Sequence, residues 1–247
     1  MGRYRKPNLT YFFILFFIII FLLQLYYTFV NGEEFINELF YNYGFSLQNV
    51  MSGRVYVFLT SVFLHGDTSH IILNMIALFF FGRVVEQELG RKKFLLIFFM
   101  SAIVGNMAVL SSNLLGFGSA VVPTIGASAA IFGLIGTGML VKPFELVFYP
   151  YLIPVPLIMV ALVYTLYNIA ELLLVIVEGV PSNISYVSHL GGLASGMVFG
   201  FKQEGSRRGL IVLLFLLLLM VLTPFMFILF GYLDIFNYVS FLSEALK

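Results

Sequence analysis

Residues 124–133 read Thr-Ile-Gly-Ala-Ser-Ala-Ala-Ile-Phe-Gly and open a hydrophobic segment long enough to cross a membrane. Within this stretch, Ser128 is flanked only by alanine and glycine. A serine in a membrane helix ordinarily hydrogen-bonds to the backbone of its own helix. A chemical role for Ser128 therefore depends on whether other segments of the chain place polar groups at the same depth.

The composition indicates a polytopic membrane protein. The 247 residues are 61% hydrophobic and 10% charged, with a mean hydropathy of +1.03, whereas a soluble domain carries about 25% charged residues. The net charge of +1 gives no indication of a nucleic-acid partner. The sequence has no cysteine and only three histidines, so disulfides and a thiolate nucleophile are excluded, and we expect neither a metal site nor a cofactor.

Hydropathy predicts an all-α fold of seven spans, each near the roughly 20 apolar residues that cross a bilayer. The spans are predicted at residues 9–30, 70–89, 94–112, 122–141, 153–177, 185–201 and 210–231. Residues 1–8 would be a cytoplasmic tail, residues 9–203 a six-span core, and residues 204–247 an extra C-terminal span with its tail. The amphipathic segment 31–69 is expected to be structured and half-buried in the outer leaflet.

The positions of lysine and arginine predict that the N-terminus lies inside, because cytoplasmic loops are enriched in both residues. In that orientation only Arg54 and Lys247 lie outside. The inner side holds Arg3, Arg5, Lys6, Arg83, Arg91, Lys92, Lys93, Lys142, Lys202, Arg207 and Arg208.

Four polar residues are predicted to share one layer near the outer face. His70 and Asn74 begin the second predicted span, Ser128 lies six residues into the fourth, and His189 lies four residues into the sixth. At about 1.5 Å per residue, Ser128 and His189 would lie roughly 6–10 Å below the starts of their helices. Polar residues at membrane depth usually face the bundle interior or a wet cavity.

This layer could support acyl-transfer chemistry. Ser128 and His189 would form a nucleophile–base pair, and the second, fourth and sixth spans offer no carboxylate at that depth, so we predict a dyad. Phe132 lies one helical turn after Ser128 and could pack on the His189 ring. His70, Asn74 and the backbone N–H of Ser128 could donate to an oxyanion. The spacing of His70 and Asn74 also suits metal ligands, but asparagine is a poor zinc ligand.

Small residues at a spacing of four would let the helices that carry Ser128 and His189 pack closely. The set predicted to support close helix packing is Gly126, Ala129, Gly133, Gly192 and Gly196.

With these motifs, the chain resembles the rhomboid family of intramembrane serine proteases. The matching stretches are residues 63–66 (FLHG), 70–75 (HIILNM), 126–133 (GASAAIFG) and 189–196 (HLGGLASG). The resemblance implies that Ser128 is the nucleophile, His189 its base and Phe132 the ring stacked on that base, with His70 and Asn74 as oxyanion partners. Two departures stand out: Ala129 follows the serine where the family usually has glycine, and the family's Trp-Arg pair in the first loop is not matched.

The resemblance also implies an architecture and a substrate class. Six core helices would enclose a wet cavity that opens outward, residues 31–69 would form a membrane-embedded hairpin, and residues 179–184 would cap the site. The substrates would be transmembrane proteins cleaved in or beside a membrane helix, and we expect the bilayer to be the cell membrane of a prokaryote.

Two other functions remain open from the sequence. One is a catalytically inactive relative that binds client transmembrane helices, although such relatives usually lose the serine or the histidine. The other is a small transporter or channel, which would be expected to show repeated halves or charged residues at mid-membrane. Outside the predicted site, His65 and Asp67 are interpreted as a turn with a helix cap. Glu171 is expected near the outer interface, bonded to Asn168 or Tyr167.

Overall fold

The computed structural model describes residues 7–116, 118–148, 154–178 and 185–204. These residues are mostly helical. Outside residues 32–67 the α-helices are α1 (Asn8–Asn31), α5 (Thr68–Ala77), α6 (Arg83–Leu89), α7 (Arg91–Leu114), α8 (Ser128–Val141), α9 (Leu157–Glu178) and α10 (Tyr186–Glu204). Between α1 and α5 lie the helices α2 (Glu33–Tyr43), α3 (Leu47–Met51) and α4 (Val57–Thr60).

Four of the described helical segments are long and apolar enough to cross a membrane: Asn8–Asn31, Thr68–Leu89, Arg91–Leu114 and Leu157–Val175. The second of these joins α5 to α6 through a π-helical turn, Leu78–Gly82. The chain is therefore an integral, multi-pass membrane protein. The predicted seventh span at 210–231, the basic residues of the N-terminal tail and the predicted cap at 179–184 lie outside the described residues.

Helix α8 is the centre of the bundle. Every residue from Ala129 to Val141 is buried, and its main packing partners are α10 and α7. A helix that is apolar on all sides is stable when it is surrounded by protein or by lipid, and α8 is surrounded by protein. By contrast, α1 buries a single stripe and leaves Phe12, Leu15 and Leu22 exposed, as a lipid-facing helix does.

The fourth predicted span is wrong at its start. Residues 122–127 are not helical, and α8 begins at Ser128, six residues later than predicted. The preceding chain is extended because Thr124 pairs with Phe45 in an antiparallel bridge, with N···O distances of 2.9 and 2.7 Å. This pairing is long-range and leaves no signal in local hydropathy.

Residues 31–69 are held together by polar contacts. Asn49 is buried and donates to the backbone oxygens of Tyr41 and Gly44. Arg54 donates to the side chains of Asn42 and Asn49 and lies over the Tyr41 ring. Arg54 therefore anchors this segment although the Trp-Arg pair is absent.

A two-stranded antiparallel hairpin separates α8 from α9. Strand β1 (Leu146–Phe148) pairs with β2 (Pro154–Pro156). The prediction of an all-α chain omitted this hairpin, and the accurate description is a mostly helical fold. Proline lacks the N–H of a ladder donor, so two prolines argue against a strand when only the sequence is read.

The first turn of α1 is fastened to α6 by Glu86. This carboxylate is 1% exposed and accepts from Leu9 N, Thr10 N and Thr10 Oγ1 at 3.0, 2.7 and 2.8 Å. It also lies 3.6 Å from Arg91 Nε. A negative group bonded to free N–H groups at a helix start stabilises that start.

The substitution Glu86→Gln should lower the free energy of unfolding by about 2–3 kcal/mol, because an amide cannot accept from all three donors and loses the charge. Unfolding in mixed detergent micelles would measure the loss. The matched control is Glu88→Gln, whose carboxylate pairs with Lys142 at 3.1 Å in a half-exposed setting, and its effect should stay below about 1 kcal/mol. Equal losses in both variants would contradict a special role for Glu86.

Candidate active site

Ser128 is placed at the first residue of α8 by a tight turn. Gly126 has φ +116°, a backbone conformation that favours glycine, and its N–H donates to Ser61 O at 2.9 Å. A Cβ at Gly126 would come within 2.6 Å of His70 Nε2. Gly126 thus lies in the turn before α8. Because it has no side chain, the His70 ring can approach this turn.

The hydroxyl of Ser128 meets the imidazole of His189 directly. The distance from Ser128 Oγ to His189 Nε2 is 2.7 Å, although 61 residues separate the two in sequence. His189 lies in the first turn of α10, which begins at Tyr186. Because both residues sit in first turns, the contact joins the same ends of α8 and α10.

The Phe132 ring stacks on the imidazole ring of His189. Its centroid lies 4.5 Å from that of the His189 ring, with an interplanar angle of 10°. Phe132 follows Ser128 by one turn, so the two side chains share a face of α8. The imidazole is thus restrained in its plane by a ring on the helix that carries the serine.

His70 and Asn74 lie together on α5, beside the turn that precedes Ser128. The Asn74 Nδ2 atom would lie 3.7 Å from a Cβ at Gly126. Asn74 is 7% exposed, and its Nδ2 donates no hydrogen bond within the described part of the chain. A buried amide donor without an acceptor carries a free-energy cost, which a ligand oxygen at this position would remove.

The start of α8 adds further donors and a positive potential. The first helical turn closes with Ile131 N bonded to Ala127 O at 3.0 Å, so the N–H groups of Ser128 and its two successors have no acceptor within the helix. Aligned peptide dipoles make this end electropositive. The arrangement can therefore stabilise negative charge that develops next to the Ser128 hydroxyl.

Glycines bring the backbones of α8 and α10 into contact. A Cβ built at Gly192 would overlap the carbonyl of Ala129, and one at Gly196 would overlap the carbonyl of Gly133. Gly133 in turn leaves room for the Ser101 side chain of α7. This close approach sets the distance between Ser128 and His189.

Ala129 is accommodated by a glycine on a third helix. Its side chain is 5% exposed, and a Cβ at Gly105 would come within 2.7 Å of the Ala129 Cβ. The methyl group therefore packs against α7, and Gly105 provides the space for it.

The turn before α5 agrees with its interpretation as a cap. Asp67 Oδ1 accepts from His70 N at 2.8 Å at the N-cap of α5. Bonds from the Ser69 hydroxyl and from the His70 N–H lower the pKa of Asp67. His65 is 1% exposed, and its backbone is held by the Gln24 side chain.

Sequence reasoning missed Asn168 as a partner of His189. The Asn168 Oδ1 atom lies 2.6 Å from His189 Nδ1, and Asn168 Nδ2 donates to Tyr186 O at 3.0 Å. Of the two partners predicted for Glu171, Asn168 and Tyr167, the structure has the Tyr167 side chain hydrogen-bonded to Glu171, and Glu171 also accepts from Tyr186 Oη at 3.4 Å. The sequence does show an amide side chain, Asn168, within the apolar fifth span. Only the packing of α9 on α10 shows that this amide faces His189.

These features define a class: a polytopic helical membrane protein with a partly buried serine–histidine pair at one end of its bundle. A sequence model described as "Rhomboid domain" matches residues 52–204, which is more than half of the chain. The chain belongs to the rhomboid family.

Related proteins include ones from a plant and a bacterium. The chain is 33% identical to "RHOMBOID-like protein 12, mitochondrial" of Arabidopsis thaliana, over 62% of this chain and 48% of that protein. It is 30% identical to "Putative rhomboid protease YdcA" of Bacillus subtilis (strain 168), over 67% and 76%. It is 29% identical to "Rhomboid protease GluP" of the same bacterium, over 77% and 34%. The chain thus spans about half of the plant relative and three quarters of YdcA.

Replacing Gly192 should disrupt the contact between α8 and α10. We expect Gly192→Ala to lower the free energy of unfolding by at least about 2 kcal/mol, because the new methyl would overlap the Ala129 carbonyl. The matched control is Ala194→Val on the exposed face of the same helix. Thermal unfolding in detergent would compare the two, and equal midpoints would contradict the packing described here.

Proposed function

We propose that the protein is an intramembrane serine endopeptidase in which Ser128 is the nucleophile and His189 the general base. The observation that carries the proposal is the 2.7 Å contact between Ser128 Oγ and His189 Nε2. A serine hydroxyl is a weak nucleophile unless a base within hydrogen-bond reach takes its proton. Membership in a family with relatives named as proteases supports the same function.

In the first half of the reaction, Ser128 Oγ attacks the carbonyl carbon of a peptide bond and transfers its proton to His189 Nε2. The C=O electron pair moves onto oxygen and gives a tetrahedral oxyanion. When this intermediate collapses, the C–N bond breaks and the leaving amine takes the proton from Nε2. An ester between Ser128 and the substrate's acyl group remains.

In the second half, water attacks the ester carbonyl while His189 Nε2 takes one of its protons. The second tetrahedral intermediate expels Ser128 Oγ, which recovers that proton. The carboxylic acid product leaves, and serine and histidine return to their starting states. No group outside the chain, the substrate and water is needed.

Three donors are proposed to stabilise the oxyanion: the Ser128 N–H, the Asn74 Nδ2 group and the His70 ring. Two observations support this assignment. His70 and Asn74 lie against Gly126, and the N–H groups in the first turn of α8 have no acceptor within the helix. Donors that are fixed before the reaction stabilise the developing charge without a cost of reorganisation. Phe132 is proposed to keep the imidazole in the plane that points Nε2 at Ser128.

The proposed substrates are transmembrane segments of other membrane proteins, with the lipid bilayer as the second partner. Ser128 lies at the start of a 14-residue helix, about 21 Å long and shorter than a bilayer core of roughly 30 Å. Such a helix recesses its first residue below the surface. We propose that this end opens to the outer face, as the distribution of lysine and arginine predicts.

The proposed compartment is the cell membrane of a prokaryote, as the sequence predicts. The matched relatives include bacterial proteins and ones named as mitochondrial or chloroplastic. A binding protein for client helices is the alternative function, and the retained pair of Ser128 and His189 favours the enzyme.

The protein reconstituted in liposomes with a transmembrane test substrate should cleave it, and Ser128→Ala and His189→Ala should each lose about 10³-fold or more in kcat. Ser111→Ala, on the exposed end of α7, is the serine control and should retain the parent rate. A fluorophosphonate probe should label Ser128 and lose that labelling in His189→Ala.

Cleavage that survives either substitution would overturn the roles of Ser128 and His189. If the folded parent neither cleaves several substrates nor reacts with the probe, but retains bound transmembrane peptides, the binding function takes the place of the protease.

The substitutions His70→Ala and Asn74→Ala should lower kcat by about 10²-fold with little change in KM, because they remove donors used mainly in the transition state. Steady-state cleavage rates at several substrate densities would separate the two constants. Asn31→Ala, an exposed asparagine at the end of α1, serves as the control. A rise in KM at unchanged kcat would assign the two residues to substrate binding instead.

A further inference from the structure

The amide of Asn168 links His189 to the backbone of its own helix. Asn168 lies on α9 and is 1% exposed. Its Nδ2 atom is 3.0 Å from Tyr186 O, and its Oδ1 atom is 2.6 Å from His189 Nδ1. Both hydrogen-bonding ends of one buried side chain therefore meet α10 within its first turn.

The orientation of this amide follows from its backbone partner. A carbonyl oxygen only accepts, so the group that faces Tyr186 O must be the NH₂ end of Asn168. The opposite end, which faces His189 Nδ1, is then the amide oxygen. Because the amide oxygen also only accepts, His189 Nδ1 must carry a hydrogen.

The same hydrogen bonds determine the protonation of Nε2, the other ring nitrogen of His189. In a neutral imidazole one nitrogen is a donor and the other an acceptor. With the hydrogen on Nδ1, the Nε2 lone pair points at Ser128 Oγ across 2.7 Å. Nε2 is thus ready to accept the serine proton before any substrate binds.

We propose that Asn168 is a positioning residue that completes a Ser128–His189–Asn168 triad and holds His189 as its Nδ1–H tautomer. The effect of Asn168 on catalysis rests on the proposed protease function. The assignment of the His189 tautomer does not depend on that function. The sequence predicts a dyad, and Asn168 is the orienting group that a dyad lacks. An asparagine fills that place at low desolvation cost, since a neutral amide is cheaper to bury than a carboxylate.

The titratable groups that face this ring are Tyr186 on the same helix, Glu171 on α9 and His70 on α5. Glu171 reaches the site through Tyr186, whose hydroxyl donates to it at 3.4 Å and whose ring lies edge-on to His189 at 6.2 Å. His70 lies against Gly126, in the turn that precedes Ser128. Asn168 is the neutral group that bonds Nδ1 itself.

A purely structural role would be to tie α9 to α10, and two substitutions separate this role from positioning. Asn168→Leu removes both bonds, whereas Asn168→Asp keeps an acceptor for Nδ1 and loses the donor to Tyr186 O. Both should therefore weaken the tie between the helices. Only Asn168→Leu should let His189 adopt both neutral tautomers, because only this variant removes the acceptor for Nδ1–H.

We expect Asn168→Leu to lower kcat by about 10²-fold with KM changed by less than about threefold. Asn168→Asp should retain kcat within about tenfold. Its carboxylate favours the imidazolium, so the acid limb of the pH profile of kcat/KM should move upward by about one pH unit or more. If the two variants share one kcat and one pH profile, or if Asn168→Leu matches the parent, the positioning role is overturned.

A readout that is independent of turnover keeps this test apart from that of the protease function. In ¹⁵N-histidine-labelled protein, the His189 signals, assigned by their loss in His189→Gln, should show a protonated Nδ1 in the parent and in Asn168→Asp. Asn168→Leu should show a mixture of tautomers. A protonated Nε2 in the parent would refute the proposal, whereas the expected tautomer without any cleavage would refute only the protease function.

The matched control is Asn106→Leu. Asn106 is also a buried amide between segments, donating to Phe58 O and Ser61 Oγ at 3.1 and 3.2 Å. This variant should lower stability and leave the His189 tautomer and the pH profile unchanged. A tautomer change in Asn106→Leu as large as that in Asn168→Leu would show that general loosening moves the ring and would overturn the assignment.

Discussion

The contact on which the structure depends is the backbone-to-backbone packing of α8 against α10. In lipid, burying apolar side chains gives two helices little reason to associate, so close van der Waals contact and interhelical hydrogen bonds must hold them. Gly192 and Gly196 allow that contact, because a side chain at either would overlap a carbonyl of α8. Thr137 adds a hydrogen bond to Gly196 O at 2.8 Å.

The same contact makes the polar site possible. Ser128 and His189 occupy the first turns of helices that touch along their length, so a 2.7 Å bond needs no long side chain to bridge a gap. Burial makes each polar group costly unless it is bonded, and the sequence of bonds from Tyr186 O through Asn168 and His189 to Ser128 removes most of that cost. Asn74 Nδ2, which has no acceptor within the described residues, marks where a ligand oxygen fits.

Much of the architecture was predictable from local sequence. The membrane class followed from composition, and the helices that match the first, second, third and fifth predicted spans lie within a few residues of their predicted bounds. The predicted family is confirmed by the match over residues 52–204. The start of α8, the hairpin after it and the partner of Asn168 were missed, because a bridge from Phe45, a strand pairing and a helix–helix contact each join segments distant in sequence.

The sequence by itself determined which side chains are available and on which helices: Ser128, His189, His70, Asn74 and Phe132. It determined this because hydropathy and spacing are local properties. The tertiary structure alone decided how the helices are rotated about their axes. That rotation turns the Ala129 methyl toward Gly105 and the Asn168 amide toward His189, and it is set by the combined packing of α7, α8, α9 and α10, which no single segment specifies.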